Sequence, residues 1–359
     1  MRIVAPSPGR YDGDSHPLKF RFLTSTPQDI TRGSGTYVGI SVLAGALREL
    51  GHTVNFESPH LHLPIYTAER LWFNRGLRPS PAHDVTVGYD MDGYRIASAP
   101  GHVASLKGVI ADEVLQESGF TRLTMGVQAR CERLHVHRAS RVLVTSRYSS
   151  DCAVRLYGLD RAPVVVPELI DLAAWRRHLE AHPAESSRFT VLCVGRFYRR
   201  KRVNLLLDAA AELRSSIPGL EVRIVGNGPC NSAWRARAAF HRLEDTVTWL
   251  GDISRAELAA EYNRADVFCL PSVQEGFGIV LLEAMAAGKA IVAAHAAAIP
   301  EVAPHACLVE RDYAPALAQG IFDLYNSGDR RAAQSVEGRT LVARYDAPLV
   351  AQMFVDAVR

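Results

Sequence analysis

The chain has 359 residues, of which 48% are hydrophobic and 22% charged, and its formal net charge is +3. This length favours two domains, and the composition is that of an ordinary globular protein. So small a net charge gives no reason to expect a nucleic-acid partner. No stretch approaches the roughly 18 consecutive apolar residues of a spanning helix, so we expect no transmembrane segment, while peripheral contact with a membrane stays open.

The cysteines and the amino terminus bear on the expected compartment. The six cysteines are scattered without a C-x-x-C pair, which argues against a zinc site or a disulfide framework. The first residues, MRIVA, predict a short strand over 1–5 and not a signal peptide. We therefore expect a cytoplasmic protein, and the sequence carries no signal for a particular oligomeric state.

The first half opens with the pattern of a doubly wound sheet, strand, glycine turn, helix and strand. In chain order we predict a strand at 1–5, a polar segment rich in turn formers at 6–32, a glycine turn at 33–36, a helix at 37–50 and a strand at 53–56. A glycine turn of this kind is also typical of an ordinary tight loop. Residues 57–83 give no clear pattern.

Two pairs of aspartates have the D-x-D spacing that holds Mn²⁺ or Mg²⁺ in some enzymes. Asp90 and Asp92 follow a predicted strand at 85–88, and Asp12 and Asp14 form the other pair. This spacing occurs often by chance, so we expect no metal at either pair.

The rest of the first half alternates short strands with helices. We predict strands at 102–106, 141–146 and 164–167, a solvated helix pair at 111–138, and a domain boundary near residue 172. The second half then repeats the alternation. We predict strands at 190–194 and 247–251, a strand with a glycine turn at 221–228, helices at 203–214, 234–243 and 256–264, and a final helix at 347–358.

A basic run, residues 196–202, follows the strand at 190–194. One interpretation is a patch for RNA or a membrane surface. The run lacks interleaved aromatic residues, and the chain as a whole is not basic, so nucleic-acid binding is not favoured.

The most informative stretch is 265–294, which predicts a strand at 267–270, a loop at 271–278, a helix at 279–287 and a strand from 290. Glu275 lies in the loop and Glu283 in the helix. On an ideal helix, eight residues rise by roughly 12 Å and rotate by about 80°, a span that suits the two ends of a sugar nucleotide. The free N–H groups at the helix start suit a diphosphate. The spacing alone favours the simpler interpretation, in which Glu283 is a solvated helix residue and Glu275 a surface loop residue.

The residues Glu275-Gly276-Phe277-Gly278, followed by Leu282-Glu283-Ala284-Met285-Ala286 and Gly288, resemble the E-x7-E signature of retaining GT-B glycosyltransferases of family 4. Two features depart from that pattern. Ala290 replaces a proline, and Ala297-Ala298 replace a pair of glycines. The second departure concerns the loop on the diphosphate side.

The resemblance implies a GT-B fold, an α/β architecture in which two Rossmann-like doubly wound domains face a cleft. The acceptor domain would comprise residues 1–172 plus the helix at 347–359, and the donor domain residues 173–346. The implied reaction moves a sugar, with retention of configuration, from a nucleotide sugar of UDP or GDP type to a carbohydrate, glycolipid or natural-product hydroxyl. It implies neither a metal nor another cofactor.

The resemblance also assigns roles to residues. Glu275 would hold the donor sugar and Glu283 the ribose, while Arg196 and Lys201 would stabilise the leaving diphosphate. Lys107 occupies the place of a histidine near the reacting carbon in many members, with His102 as a competing candidate and Asp90 beside it on the acceptor side. Further donor-binding residues implied by the match are Gly35, Gly195, Gly226, Leu250, Gly276, Phe277, Gly278 and Ile279.

Other functions remain open on the sequence. The same fold hosts nucleotide-sugar epimerases and phosphorylases, and a non-catalytic module could retain the nucleotide pocket. No lysine context indicates a pyridoxal phosphate site. The joint presence of Glu275, Glu283, Arg196 and Lys201 argues against a module that has lost its chemistry.

Overall fold

The structure is a computed structural model that describes residues 16–26, 35–61 and 63–359. The strand predicted at 1–5, the pair Asp12 and Asp14, and the first part of the glycine turn lie outside these ranges. The described residues form two six-stranded sheets, and every strand pair within them is parallel. Helices connect most consecutive strands, whereas a segment of turns at 90–101 joins β3 to β4.

The first sheet has the strand order β2-β1-β3-β4-β5-β6. Its strands are β1 (Lys19–Leu23), β2 (Thr53–Glu57), β3 (Val85–Tyr89), β4 (His102–Leu106), β5 (Arg141–Val144) and β6 (Val164–Val165). The helices of this half are α1 (Gly35–Glu49), α2 (Tyr66–Gly76), α3 (Ile110–Val114), α4 (Gly119–Arg138) and α5 (Arg147–Tyr157).

The second sheet has the order β12-β11-β10-β7-β8-β9. Its strands are β7 (Thr190–Val194), β8 (Glu221–Val225), β9 (Val247–Gly251), β10 (Val267–Leu270), β11 (Ala290–Ala294) and β12 (Cys307–Val309). The remaining helices are α6 (Leu172–Ala181), α7 (Val203–Leu213), α8 (Asn231–Phe240), α9 (Arg255–Arg264), α10 (Ile279–Ala286), α11 (Ile299–Val302), α12 (Ala314–Asn326), α13 (Gly328–Leu341) and α14 (Ala347–Val358), with short 3-10 helices at Arg199–Lys201 and Val342–Tyr345.

Strand β1 corrects the prediction that residues 6–32 form only a polar, turn-rich segment. Phe20 and Phe22 are fully buried in the hydrophobic core that the first sheet forms with α1 and α14. Arg21 between them forms an ion pair with Glu57 of the neighbouring strand β2. The charged residue in the strand therefore has a partner, which the sequence alone does not reveal.

Helix α4 corrects the prediction of a solvated helix pair. Glu132 and His135 of this helix are fully buried. The Glu132 carboxylate accepts hydrogen bonds from the Ile110 N–H at 2.8 Å and from the Tyr157 hydroxyl. A polar helix face is thus buried because its polar groups are satisfied inside the protein.

The chain passes between the two sheets twice, and the two passages lie side by side. The Ile170 N–H donates to the Tyr345 carbonyl oxygen at 2.9 Å, and the Ala347 N–H donates to the Ile170 carbonyl oxygen at 2.9 Å. Helix α14 then packs against the first sheet, where Phe354 lies 6.0 Å from Phe20 between ring centres. The exact division of the chain at residue 172 stays a prediction.

All six cysteines are free thiols. Among the helices of the described residues, none combines the length and the apolar character that crossing a membrane requires.

Candidate active site

The carboxyl ends of the strands in both sheets border a cavity of about 440 Å³. Ligands of open parallel sheets bind at this edge of the strands. Five basic and four acidic side chains line it, from both halves of the chain. They are Arg70, Lys107, Arg196, Arg200 and Lys201, and Asp90, Glu113, Glu168 and Glu275.

Glu275 lies at the edge of this cavity, in the loop between β10 and α10. Its side chain is 8% exposed, and its carboxylate accepts a hydrogen bond from the Lys201 ammonium at 2.6 Å. Gly278, after it, adopts a left-handed φ of 90°, which favours glycine, and α10 begins at the next residue. The turn at Gly278 therefore ends the loop that carries Glu275 and starts the helix.

Gly276 brings the two halves into direct contact. A Cβ atom here would lie 2.7 Å from the Lys107 carbonyl oxygen, a contact that real side chains essentially never make. The Gly276 carbonyl accepts hydrogen bonds from three hydroxyls of the first half, those of Thr145, Ser146 and Ser149, at 3.1, 2.7 and 3.1 Å. Glycine is needed here because of the close approach of the backbones.

The start of α10 suits an anion. Gly278, the residue that precedes the helix, offers no side-chain cap, and residues 276–280 line the cavity. The first N–H groups of a helix have no partner within the helix and carry the positive end of its dipole. A diphosphate in the cavity can therefore accept hydrogen bonds from them.

The basic run adds cations to the same region. Gly195, Arg196 and Lys201 line the cavity, and Arg196 forms an ion pair with Asp252 at 3.3 Å. Gly226 packs on this loop so tightly that a Cβ would lie 2.0 Å from the Gly195 carbonyl oxygen. Among the side chains of the second half that line the cavity, three are cations, Arg196, Arg200 and Lys201, and one is a carboxylate, Glu275.

Arg200 connects the basic run to the first half. Its guanidinium forms ion pairs with Glu113 at 3.3 Å and Glu117 at 3.7 Å, near α3 and α4. Gln274 makes a second connection, since its amide donates to Asp112 at 3.2 Å. The residues beside the cavity therefore also hold the two halves together.

Glu283 borders a second cavity of about 190 Å³, and Ile279 lines both cavities. One carboxylate oxygen of Glu283 accepts from Arg255 at 2.5 Å and the other from the Tyr262 hydroxyl at 3.2 Å. The two carboxylates of the E-x7-E pattern thus lie on different, adjoining cavities. Leu250 packs against the hydrophobic core that includes residues of α9 and α10, and it lines neither cavity. Phe277 lines the larger cavity.

Asp90 and Lys107 lie on the opposite wall of the large cavity. Asp90 adopts a left-handed φ of 53° and accepts a hydrogen bond from the Lys107 N–H at 2.9 Å. Burial raises the pKa of Asp90 to about 6, against the opposing effect of Arg70. The Lys107 ammonium contacts the Glu168 carboxylate at 3.0 Å, and both side chains are at least nine-tenths buried.

His102 lies beneath this wall and does not line either cavity. Its imidazole is fully buried and contacts His135, with 2.8 Å between the two Nε2 atoms. Burial lowers the pKa of His102 to about 3 and that of His135 to about 4. Both rings are therefore neutral at physiological pH and belong to the interior of the first half.

Asp92 is also buried and already has protein partners. Its carboxylate accepts from Ser25, Arg70 and Asn74. Asp90 and Asp92 therefore do not present a shared pair of free carboxylates. In the part of the chain that the structure describes, no group of three or more His, Cys, Asp or Glu side chains is arranged to hold a metal ion.

Several side chains of this region are not indicated by the sequence patterns. Arg70, Glu168, Arg200 and Gln274 line the large cavity, and Arg255 the smaller one. Arg255 had a detectable signal, because Ser254 and Glu257 form a capping box that fixes the start of α9 at Arg255. The others pair with residues distant in the sequence, and no local pattern indicates those partners.

This arrangement can bind an anionic, polyhydroxylated ligand. The cations and the α10 start supply donors for phosphate oxygens, and the carboxylates accept from hydroxyl groups. Gly35 begins α1, and the next residue, Thr36, lines the cavity, so the first half also reaches the region of the anion. The chemistry available is stabilisation of a leaving phosphate group between two protein halves.

Comparisons with known proteins agree with this geometry. The family described as glycosyl transferases group 1 matches residues 176–340. A phosphatidyl-myo-inositol mannosyltransferase of Mycolicibacterium smegmatis is 30% identical over 336 residues, which cover 85% of this chain and 84% of that protein. A GDP-mannose-dependent alpha-(1-6)-phosphatidylinositol monomannoside mannosyltransferase of Mycobacterium tuberculosis is 32% identical over 179 residues, 47% of this chain but only 46% of that protein.

Among solved structures, sucrose-phosphate synthase from Thermosynechococcus elongatus aligns with a TM-score of 0.76 and 20% identity, covering 94% of this chain and 98% of that one. This likeness confirms the predicted GT-B fold with two Rossmann-like halves. The predicted membership of a glycosyltransferase family is confirmed by the relative that aligns over 84% of its length. The chain belongs to the glycosyl transferases group 1 family.

Proposed function

We propose that the chain is a retaining glycosyltransferase of family 4 that binds its donor sugar beside Glu275 and the donor ribose beside Glu283. The observation that carries this proposal is the placement of these two carboxylates on adjoining cavities. Ile279, at the α10 start, lies between them and lines both. A sugar, a diphosphate and a ribose follow one another in the same order along a nucleotide sugar.

The reaction breaks the bond between the anomeric carbon and the phosphate oxygen, and the nucleoside diphosphate leaves with the bonding electrons. Arg196, Lys201 and the α10 start stabilise the charge that develops on the leaving group. The acceptor oxygen forms the new bond on the same face of the sugar. Its proton passes to an oxygen of the leaving phosphate, so the step requires no protein base.

Lys201 has two roles in this scheme. Its ammonium donates a hydrogen bond to Glu275 at 2.6 Å. A bound diphosphate attracts the ammonium, while Glu275 accepts hydrogen bonds from the sugar hydroxyls. Donor binding then replaces the Lys201–Glu275 ion pair by two charged contacts with the ligand, so neither buried charge is left without a partner.

We propose that the reaction needs no metal and no further cofactor. Arg196, Arg200 and Lys201 supply the positive charge that a divalent ion supplies in other transferases. Among donors we favour UDP and GDP sugars, since the name of one relative specifies GDP-mannose for that enzyme and a structural neighbour from Anabaena was solved with UDP and glucose. The sugar itself is left to experiment.

We place the acceptor against the wall formed by the first half. Arg70, Asp90 and Gln128 there offer both donors and acceptors to a polyhydroxylated molecule. Tyr66 and Met125 line the cavity, and Tyr66 is 40% exposed. This apolar rim suits a glycolipid or a natural product, and it would allow peripheral contact with a membrane.

A direct test combines ligand binding with turnover. Unfolding temperatures are measured with UDP, GDP, ADP and dTDP, because a ligand at 100 times its dissociation constant stabilises by about 2.7 kcal/mol. The nucleotide that stabilises identifies the donor series for transfer assays with carbohydrate, glycolipid and natural-product acceptors. Conversion of the nucleotide sugar to an isomer without an acceptor would contradict transfer and indicate an epimerase.

A further inference from the structure

We infer that Arg255 is a positioning and specificity-determining residue for the donor nucleoside, which together with Glu283 reads the two vicinal hydroxyls of a ribose. The inference rests on the proposed function, because it takes the ribose to lie beside Glu283. It adds a second residue to that contact and a specific discrimination, ribose against 2′-deoxyribose.

The carboxylate of Glu283 is held at both oxygens. Arg255 Nη1 donates to Oε1 at 2.5 Å, and the Tyr262 hydroxyl donates to Oε2 at 3.2 Å. Tyr262 is itself fully buried, and the Glu283 side chain is 6% exposed. A charged group so buried requires a charged partner, and Arg255 is the cation that contacts it.

Arg255 is held in turn by Trp175 of α6. The guanidinium carbon lies 4.3 Å from the centre of the indole ring, within the range of a cation–π contact. The indole N–H donates to the Glu283 carbonyl oxygen at 3.2 Å, and the ring packs edge to face against Tyr262. Arg255, Glu283, Tyr262 and Trp175 thus form a closed ring of contacts across α6, α9 and α10.

The start of α9 fixes where the guanidinium can reach. Ser254 and Glu257 form a capping box, so Arg255 is the first residue of the helix. Unlike its buried partners, the Arg255 side chain is 24% exposed, and it lines the 190 Å³ cavity together with Glu283. The pair therefore presents a donor and an acceptor to the same ligand.

This pairing matches the chemistry of a vicinal diol. A ribose hydroxyl donates its hydrogen to a carboxylate and accepts at its oxygen. The guanidinium has five N–H donors, of which the contact with Glu283 uses one. A 2′-deoxyribose lacks one of the two hydroxyls, so part of the Arg255–Glu283 pair is left without a ligand partner. A site built from polar groups discriminates strongly against such a ligand.

The test measures binding by calorimetry with UDP and 2′-deoxy-UDP, and with GDP and 2′-deoxy-GDP. UDP and GDP are first compared on the wild-type protein. The one that binds more tightly, together with its 2′-deoxy form, is then used for all variants. The variants are Arg255→Ala, Arg255→Lys and Glu283→Gln, with Arg264→Ala as the matched control. Arg264 is an arginine of the same helix that pairs with Glu261 at 3.8 Å, away from both cavities.

We expect the wild-type protein to prefer the ribose form by about 10- to 150-fold, the scale of one hydrogen bond to a charged group. Glu283→Gln and Arg255→Ala should each remove most of this preference, Arg255→Lys should retain part of it, and Arg264→Ala all of it. Loss of general structure would weaken both nucleotides alike and leave their ratio unchanged. If Arg255→Ala does not fold, Arg255→Lys and Arg255→Gln decide the outcome through the same ratio.

Two results separate the inference from the function on which it rests. A preference that survives in Glu283→Gln would show that the ribose lies elsewhere and would overturn the proposed donor orientation. A preference lost in Glu283→Gln but kept or increased in Arg255→Ala would overturn only the role of Arg255. An increase would mean that the guanidinium competes with the ribose for the carboxylate.

Discussion

Substituting Gly276 by alanine tests whether the observed contact between the two halves belongs to the catalytic state. The new Cβ would lie 2.7 Å from the Lys107 carbonyl oxygen and 2.9 Å from the Gly108 Cα, whereas ordinary contact begins at 3.4 Å. Both obstacles are backbone atoms of the first half, so no side-chain rotation relieves the clash. The φ of Gly276 is not positive, so alanine is compatible with its local backbone.

The strain can be relieved only if the halves separate locally. Separation weakens the hydrogen bonds of Thr145, Ser146 and Ser149 to the Gly276 carbonyl. Overpacking costs about 1–3 kcal/mol in a well-packed site. If transfer requires the closed contact, kcat/KM should fall by about 5- to 150-fold, since 1.36 kcal/mol corresponds to a factor of ten.

Steady-state transfer kinetics and calorimetry with the free nucleoside diphosphate make the measurement. The diphosphate should bind with nearly wild-type affinity, because its contacts come mainly from the second half. Gly45→Ala, at a helical glycine with no atom within 4 Å of the new Cβ, is the control and should keep wild-type activity. Wild-type kcat/KM in Gly276→Ala would refute the link between this contact and catalysis.

Three further predictions follow from the site. Arg196→Ala and Lys201→Ala should each lower turnover by roughly 10² to 10³, the scale for loss of one donor to the transition state. Arg202→Ala is the control and should keep its turnover, because Arg202 pairs with Asp312 outside the cavity. Equal effects at all three positions would contradict the assignment. Transfer should survive EDTA, and activity that chelation abolishes and Mn²⁺ restores would point instead to a metal. Because burial raises the pKa of Asp90 from 3.8 to about 6, the folded state favours its protonated form, a contribution that is complete below pH 4 and lost as the pH rises through 6. The free energy of unfolding of Asp90→Asn, measured in urea, should therefore rise by about 2 kcal/mol relative to wild type between pH 4.5 and 7.5. A difference independent of pH would contradict this reasoning.

The second half could be predicted well because its patterns are local. The apolar runs of β7 and β10, the glycine with left-handed φ at 288, and the start of α10 all follow from residues close in the sequence. The predicted helix at 279–287 differs from the observed Ile279–Ala286 by one residue. The assignment of Glu275, Arg196 and Lys201 to one region depended on the family resemblance, and the structure does bring them to one cavity.

Asp90 and Lys107 are predicted as site residues of the acceptor domain and do line the cavity, but the rest of the first-half wall could not be predicted, for a physical reason. Arg70, Asp92 and Gln128 pair across 22 and 58 residues, and Lys107 pairs with Glu168 across 61. Periodicity shows which face of an element is buried, but it does not show which charged groups meet there. His102 illustrates the limit, since a histidine at a strand start is equally compatible with the cleft and with the interior, where it lies.

The central claim is that Glu275 serves the sugar end of the donor and Glu283 the ribose end. Calorimetry with the free nucleoside diphosphate, beside steady-state kinetics, tests it on Glu275→Gln and Glu283→Gln. A ribose contact is similar in the ground state and the transition state, so Glu283→Gln should weaken the diphosphate and raise the donor KM by about 10- to 150-fold. Glu275→Gln should instead lower kcat and leave the affinity for the free diphosphate nearly unchanged. Equal weakening of the diphosphate in both variants would contradict the assignment of one carboxylate to each end of the donor.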